Sequence, residues 1–179
     1  MLSKKLQEAI NDQINFEFYS AYVYLSMCAW FKDQNFNGFA HWMEVQTREE
    51  IFHAMKFFNF VFDRGGNVAM ATVKVPAGDW KSPLDTFKQA FEHEQTVTSR
   101  ISDLMDLALK ERDHVAAALL QWFINEQIEE EANVRNIVDQ LKMMGESKDS
   151  VFMLDRELNA RQVSPLVAAY LTGQPLPAV

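Results

Sequence analysis

A chain of 179 residues that is 48% hydrophobic can bury one good core and is too short for two independent domains. Its formal charge of −8 and pI near 5.0 exclude a phosphate-binding surface, which would need clustered Lys and Arg to displace counterions, and make cations the expected partners. The single cysteine, Cys28, permits neither an internal disulfide nor a thiolate zinc site; "MLSKKLQEAI" opens without an apolar leader, and no window reaches the roughly 18 apolar residues of a membrane span, so the expectation is a cytoplasmic protein with no membrane or nucleic-acid partner.

Apolar residues recur at helical spacing through four long segments, and alternation with period two is confined to "TVKVP", which predicts an all-α fold. The first helix is expected from about Ser3, its N-cap, to about Asp33, with Leu6, Ile10, Ala21 and Leu25 on one side. "DQNFNG" breaks it. The second begins near Asn37 and ends at "RGGN", where two glycines would supply left-handed conformations. Its apolar face carries Phe39, Met43, Phe57 and Phe60, and Glu50 and His53 of "REEIFH" fall on that same face. Residues 65–81 hold three glycines, a proline and no helical period, as a long crossover would. The third helix starts at "SPLD", with Ser82 as cap, Pro83 first in the helix and Asp85 near the positive end of the dipole, and reaches about Glu111. After a break at "RD" the fourth runs from about His114 to Gly145, with Leu120, Phe123, Val134, Ile137 and Leu141 inward. A short fifth helix over "SVFMLDRELNAR" must stop before Pro165; "PLVAAYLTGQPLPAV" receives no element. The expectation is one domain over 1–179, with a four-helix bundle over 1–145 made of two antiparallel hairpins joined by the crossover, and a fifth short helix and tail over 146–179.

Each hairpin has one inward glutamate on its first helix and an i, i+3 pair on its second: Glu17 with Glu50 and His53, then Glu94 with Gln127 and Glu130. Corresponding members are 77 residues apart, so the chain is an approximate internal duplication. The midpoint of Glu17 and His53 is residue 35 and that of Glu94 and Glu130 is residue 112, both in expected turns, so all six groups reach one level of the bundle. Four carboxylates gathered in a dry interior would repel one another and lose hydration, and must take up protons or bind metal. Two divalent cations balance four glutamates. Oxygen ligands with one imidazole suit Fe2+ or Mn2+ better than a zinc-selective thiolate set.

A single glutamate on an inward face is ordinarily a boundary residue whose head reaches water; the set at matched spacing is not produced by solvation alone. In "NEQIEEE", Glu131 belongs to the solvated surface, as does Glu111 elsewhere. Glu126 lies 77 residues after Glu49, and Glu49, Glu126, Glu129 and Glu130 could form an oxygen-only cation site beside the first. Tyr24, two turns after Glu17, could hydrogen-bond a ligating carboxylate or supply an electron, and is equally compatible with ordinary burial. Trp122 reads as core packing, and His41, His93 and His114 as surface or boundary residues.

Glu17, "EEIFH", "EHEQ" and "NEQIEEE" together resemble the bacterial non-haem ferritins, over nearly all of the chain to about residue 160. The resemblance implies a ferritin-like fold and a ferroxidase that oxidises Fe2+ to Fe3+ with dioxygen, or peroxide in its place, and stores the product as a ferric oxide mineral in a hollow cage of 24 subunits. It implies that Glu17, Glu50 and His53 hold one iron, that Glu50 bridges to a second held with Glu94 and Glu130 beside Gln127, that Glu49, Glu126, Glu129 and Glu130 hold a third, and that Tyr24 is the neighbouring redox tyrosine.

Two departures stand out. Bacterioferritins carry a second E-x-x-H and a haem-ligating methionine; here the second pair is Gln127 and Glu130 and Phe52 stands at the methionine position, so no haem is expected. The tail after Pro165 is also longer than the family pattern. Three rivals stand against storage, one of them a non-catalytic helical scaffold whose carboxylates happen to cluster. A rubrerythrin-type di-iron oxidoreductase needs a four-cysteine iron site, and a DNA-protecting mini-ferritin often has a basic tail, whereas here the last arginine is Arg161.

Overall fold

The structure, a computed structural model, describes residues 2–145 and 147–174. Over these the chain forms α1 (Lys4–Asp33), α2 (Asn37–Asp63), α3 (Pro83–Lys110), α4 (His114–Met144), α5 (Lys148–Leu158) and α6 (Pro165–Thr172). Three of the long helices start where their own sequence satisfies a free backbone N–H: Ser3 accepts from Leu6, Ser82 from Asp85 and Asp113 from Ala116. Helix α2 has no side-chain cap of its own at Phe36. Asp155 of α5 takes that place, its Oδ1 accepting from the Phe39 N–H at 2.8 Å, and Gly38 lets the two helices meet, since a Cβ there would lie 1.5 Å from the Asp155 carbonyl oxygen.

The duplication inferred from spacing reappears in the turns. Asn35 (φ 61°) and Arg112 (φ 57°), 77 positions apart, are the two non-glycine residues in the left-handed region among the described residues. Each is followed by a bond back across the helix end, Phe36 N–H to the Phe31 carbonyl and Asp113 N–H to the Ala108 carbonyl, both at 2.9 Å. At the end of α2 only Gly65 is left-handed, with φ 68°. Gly66, expected to share that role, instead sits close to its neighbours: a Cβ would lie 3.1 Å from the Val61 carbonyl oxygen and 2.6 Å from the Gln7 amide oxygen, which would have to shift.

α1 packs along α2 and α3 along α4, and the hairpins close on each other through contacts such as Phe57 stacked on Phe123, 4.0 Å between centroids. The crossover from α2 to α3 runs beside α1, where Gln7, Asn11 and Asn15, one turn apart, hold its backbone at Asn67 and Ala71. Two apolar clusters result. One gathers Tyr24, Phe31, Phe39, Phe87 and Leu141, the other Leu6, Ile10, Phe57, Ile101 and Leu120. Leu25 is not part of the core as expected: it is 50% exposed, because the buried stripe of α1 steps through Tyr24, Met27, Cys28 and Phe31 and Leu25 lies 100° past Tyr24.

The tail differs from expectation as well. α5 ends at Leu158 and the chain then forms α6 over part of the segment given no element, packed against α2. Residues 175–179 of that segment lie outside the described residues. Among the described residues no helix is long and apolar enough to cross a membrane.

Candidate metal centre

Between the two apolar clusters lies a polar layer. Glu17 of α1, Glu50 and His53 of α2, Glu94 of α3, and Gln127 and Glu130 of α4 are each at most 6% exposed. One ligand atom from each of Glu17, Glu50 and His53 lies within 4.8 Å of the others, with His53 Nδ1 at 3.6 Å from Glu50 Oε2. Among the described residues this is the one set of three or more such side chains converging so closely; Glu94 and Glu130, and the Glu49, Glu126 and Glu129 group, stand further apart.

Three of the carboxylates share a pattern. Glu17 accepts from the Gln13 amide at 2.9 Å through Oε1, Glu50 from the Gln46 amide at 3.5 Å through Oε1, and Glu94 from the Tyr24 hydroxyl through Oε1. In all three the second oxygen, Oε2, is buried and has no hydrogen-bond partner. A buried orphan acceptor costs about 1–3 kcal/mol, and three in one layer mark a place built for a cation. Gln46 also donates to Glu130 at 2.8 Å. Gln127 touches Glu94 with its side chain, and its amide oxygen accepts from the Thr98 hydroxyl at 3.1 Å.

Electrostatics point the same way. Burial first, then the neighbouring carboxylate charge, pushes Glu17, Glu50 and Glu130 up to about 8. Burial and the Glu50 charge raise Glu94 well above the carboxylate range, and burial with the Glu94 charge raises Tyr24. Without cations the layer therefore holds protons at neutral pH. Ligation of a divalent ion by these carboxylates requires those protons to leave.

A model of the ferritin-like domain family matches residues 7–144. The chain belongs to the ferritin family. It is similar to an open-pore ferritin from the hyperthermophilic archaeon Archaeoglobus fulgidus, with 47% identity, a TM-score of 0.90, and coverage of 90% of this chain and 100% of that one. A closed form of that archaeal ferritin, engineered by site-directed mutagenesis, is 46% identical with a TM-score of 0.90 over 92% of this chain and all of that one. The bacterial non-heme ferritin of Staphylococcus haemolyticus is 37% identical over 161 residues, 90% of this chain and 97% of that one. The function is ferritin-type oxidation and storage of iron, on an all-α ferritin-like bundle with two additional short C-terminal helices.

Around the centre of this ferritin the accessory residues are disposed unequally. Glu49 is buried and ion-paired to Arg161 at 2.6 Å; Glu126 is half-buried, with its carboxyl pushed up by burial; Glu129 is exposed and Glu130 buried. All four line one cavity of about 230 Å3 together with His53, Trp122 and Arg161. Trp122 presents its edge to the His53 ring at 5.6 Å and carries the Lys56 ammonium 4.1 Å above its own ring. His93 has more company than its sequence position implies. Its Nε2 meets the Ser20 hydroxyl at 2.8 Å, its ring stacks on Phe16 at 5.6 Å, and burial pushes it down to about 4. His41 bonds the Arg161 carbonyl at 2.8 Å, and His114 is exposed.

Sequence reasoning passed over the residues that hold the carboxylates. Gln13 and Gln46 each sit four positions before a glutamate of the layer, a Q-x-x-x-E spacing that places amide and carboxylate on one face. Arg100 then fixes the orientation of Gln13: its Nε donates to the Gln13 oxygen at 2.9 Å, which turns the amide NH2 toward Glu17. Neither Arg100 nor Arg161 had a detectable signal, because their partners are 87 and 112 residues away.

Proposed function

We propose that Glu17, Glu50 and His53 hold one ferrous ion and Glu50, Glu94 and Glu130 a second, with Glu50 shared between them. The observation that carries this reading is the row of unpartnered Oε2 atoms on Glu17, Glu50 and Glu94, each carboxylate held by its other oxygen. A carboxylate tethered through one oxygen keeps a fixed direction for the other, which lowers the cost of organising a site when the ion arrives. Gln127 supports Glu94 from behind, its own oxygen engaged by Thr98.

Each ferrous ion gives up one electron, so a pair takes dioxygen to the level of hydrogen peroxide, and a second pair takes peroxide to water; either oxidant fits the paired stoichiometry. Tyr24, joined to Glu94 by its hydroxyl, is positioned to donate a further electron. Glu49, Glu126, Glu129 and Glu130 hold a third iron in the adjoining cavity and pass ferric ions toward the mineral. No haem takes part, since Phe52 packs against Trp122 and Tyr170 where a ligating methionine would stand. The chain works as one domain in the cytoplasm.

Storage requires a closed shell of copies, expected at 24. Tyr22 and Leu25, 55% and 50% exposed on one face of α1, are apolar surface suited to a neighbouring subunit. The archaeal relative is an open-pore ferritin for which a closed form was engineered by site-directed mutagenesis, so shell geometry has to be measured on this chain. Size-exclusion chromatography with light scattering should give about 24 times the 20.7 kDa chain, roughly 500 kDa, and anaerobic ferrous titration should saturate two tight sites per subunit. A stable dimer would remove the cage, and no saturable binding would remove the centre.

A further inference from the structure

The longest-range polar contact at the centre comes from the tail. Arg161 follows α5 and reaches back to α2, where its guanidinium donates to Glu49 Oε2 at 2.6 Å and to the Trp42 carbonyl at 3.3 Å. It also lies over the Trp42 ring at 4.2 Å. The Arg161 carbonyl is tied to His41 at 2.8 Å, and Ser164, Pro165, Leu166 and Val167 continue as one wall of the cavity that Glu49, Glu126, Glu129 and Glu130 line. The side chains of the pair are only 17% and 10% exposed. A charge-assisted bond so sheltered from water is stronger than a surface ion pair.

We propose that Arg161 is a positioning residue of the accessory cation site: its guanidinium is the resident counter-cation of Glu49, held on Oε2, and an iron ion must displace it to take both oxygens of that carboxylate. This rests on the accessory-site reading above. Two features make displacement workable. Glu126 and Glu129 line the same cavity and form no salt bridge among the described residues, the Lys56 charge acting on Glu126 from further off, so an ion can be held there before Glu49 is released. The Trp42 ring and carbonyl lie beside the guanidinium on its own side, so Arg161 keeps favourable partners after it lets go of Glu49. An ion held against such competition binds less tightly than one in the paired centre and is passed on more readily. The tail sets how firmly iron is retained on its way to the mineral.

The test uses the assembled protein titrated with ferrous ion under argon, read by calorimetry. Arg161→Met keeps an aliphatic stem over Trp42 and removes the charge; Arg161→Gln serves if the methionine variant does not assemble; Arg161→Lys keeps the charge. The third binding event should tighten roughly tenfold, one step of about 1.4 kcal/mol, in Arg161→Met, and by less than about threefold in Arg161→Lys, while the first two events stay unchanged. Glu126→Gln with Glu129→Gln should abolish the third event. An unchanged third event in Arg161→Met, with the first two intact and the carboxylate control behaving as expected, overturns the role of Arg161 and leaves the accessory site standing. Equal gains for methionine and lysine overturn it too, because loosening of the tail would then be the cause. A third event absent from every protein, or surviving the double carboxylate change, overturns the accessory site and this inference with it.

Discussion

Loading the centre with ferrous ion should expel protons in a number that depends steeply on pH. Glu17, Glu50 and Glu130 titrate near 8 in the metal-free fold, pushed up by burial and by one another, so at pH 7 each is about nine-tenths protonated. Glu94 is raised well above its ordinary value by burial and the Glu50 charge. Ligation requires the carboxylates ionised, so binding at pH 7 displaces about three protons per subunit from Glu17, Glu50 and Glu130, and at pH 9 well under one from the same three groups. Affinity should accordingly fall as pH drops below 8, by about tenfold per pH unit for each proton displaced. Anaerobic titration calorimetry in two buffers of different ionisation enthalpy counts these protons directly. Release of less than about one proton per subunit at pH 7, or no decline between pH 7 and pH 9, would refute the picture of a protonated layer awaiting cations.

The same groups set the sign of the pH dependence of stability in the metal-free protein. Their native values near 8 lie above the ordinary 4.5, so the fold binds more protons than the unfolded chain between those limits and loses stability as pH rises through that window, by up to about 1.4 kcal/mol per pH unit for each carboxylate; a melting temperature higher at pH 8 than at pH 5 would contradict this. Gln13→Leu, which frees Glu17 from its tether, should slow ferrous oxidation by about tenfold to a hundredfold with shell size unchanged, measured by stopped-flow absorbance and light scattering. His53→Ala should slow the fast oxidation phase at least as much while leaving assembly intact; equal loss of both would count against its place as a ligand. Gly38→Ala puts a Cβ 1.5 Å from the Asp155 carbonyl, forces α5 off the start of α2, and should cost about 1–3 kcal/mol in denaturant unfolding; an unaltered midpoint would mean the contact is not needed.

Much of the architecture was readable because its signals are local. Ser3 and Ser82 mark helix starts through bonds to the N–H three residues on, Pro83 through its fixed φ at the first helical position, and the inward positions Leu120, Phe123, Val134, Ile137 and Leu141 follow from helical period alone. The candidate ligands were readable for a different reason. A carboxylate or imidazole inside an apolar stripe is costly, and the repetition of that cost at an interval of 77 residues separates it from chance. Leu25 was misplaced because helical period defines a stripe but not its edge, and the edge of α1 depends on which neighbour covers it.

By itself the sequence determined the four helices, the crossover, the duplicated turns and the inward positions of Glu17, Glu50, His53, Glu94, Gln127 and Glu130, since all of these depend on spacing along single helices and on distance from a turn. Tertiary structure alone decided which oxygen of each carboxylate is tethered and which is free, that Arg100 orients Gln13, that Asp155 caps α2, and that the tail folds back to set Arg161 on Glu49. Those contacts join residues far apart in the chain, and nothing in the local sequence at either end records a partner that only the docking of one helix on another brings within reach.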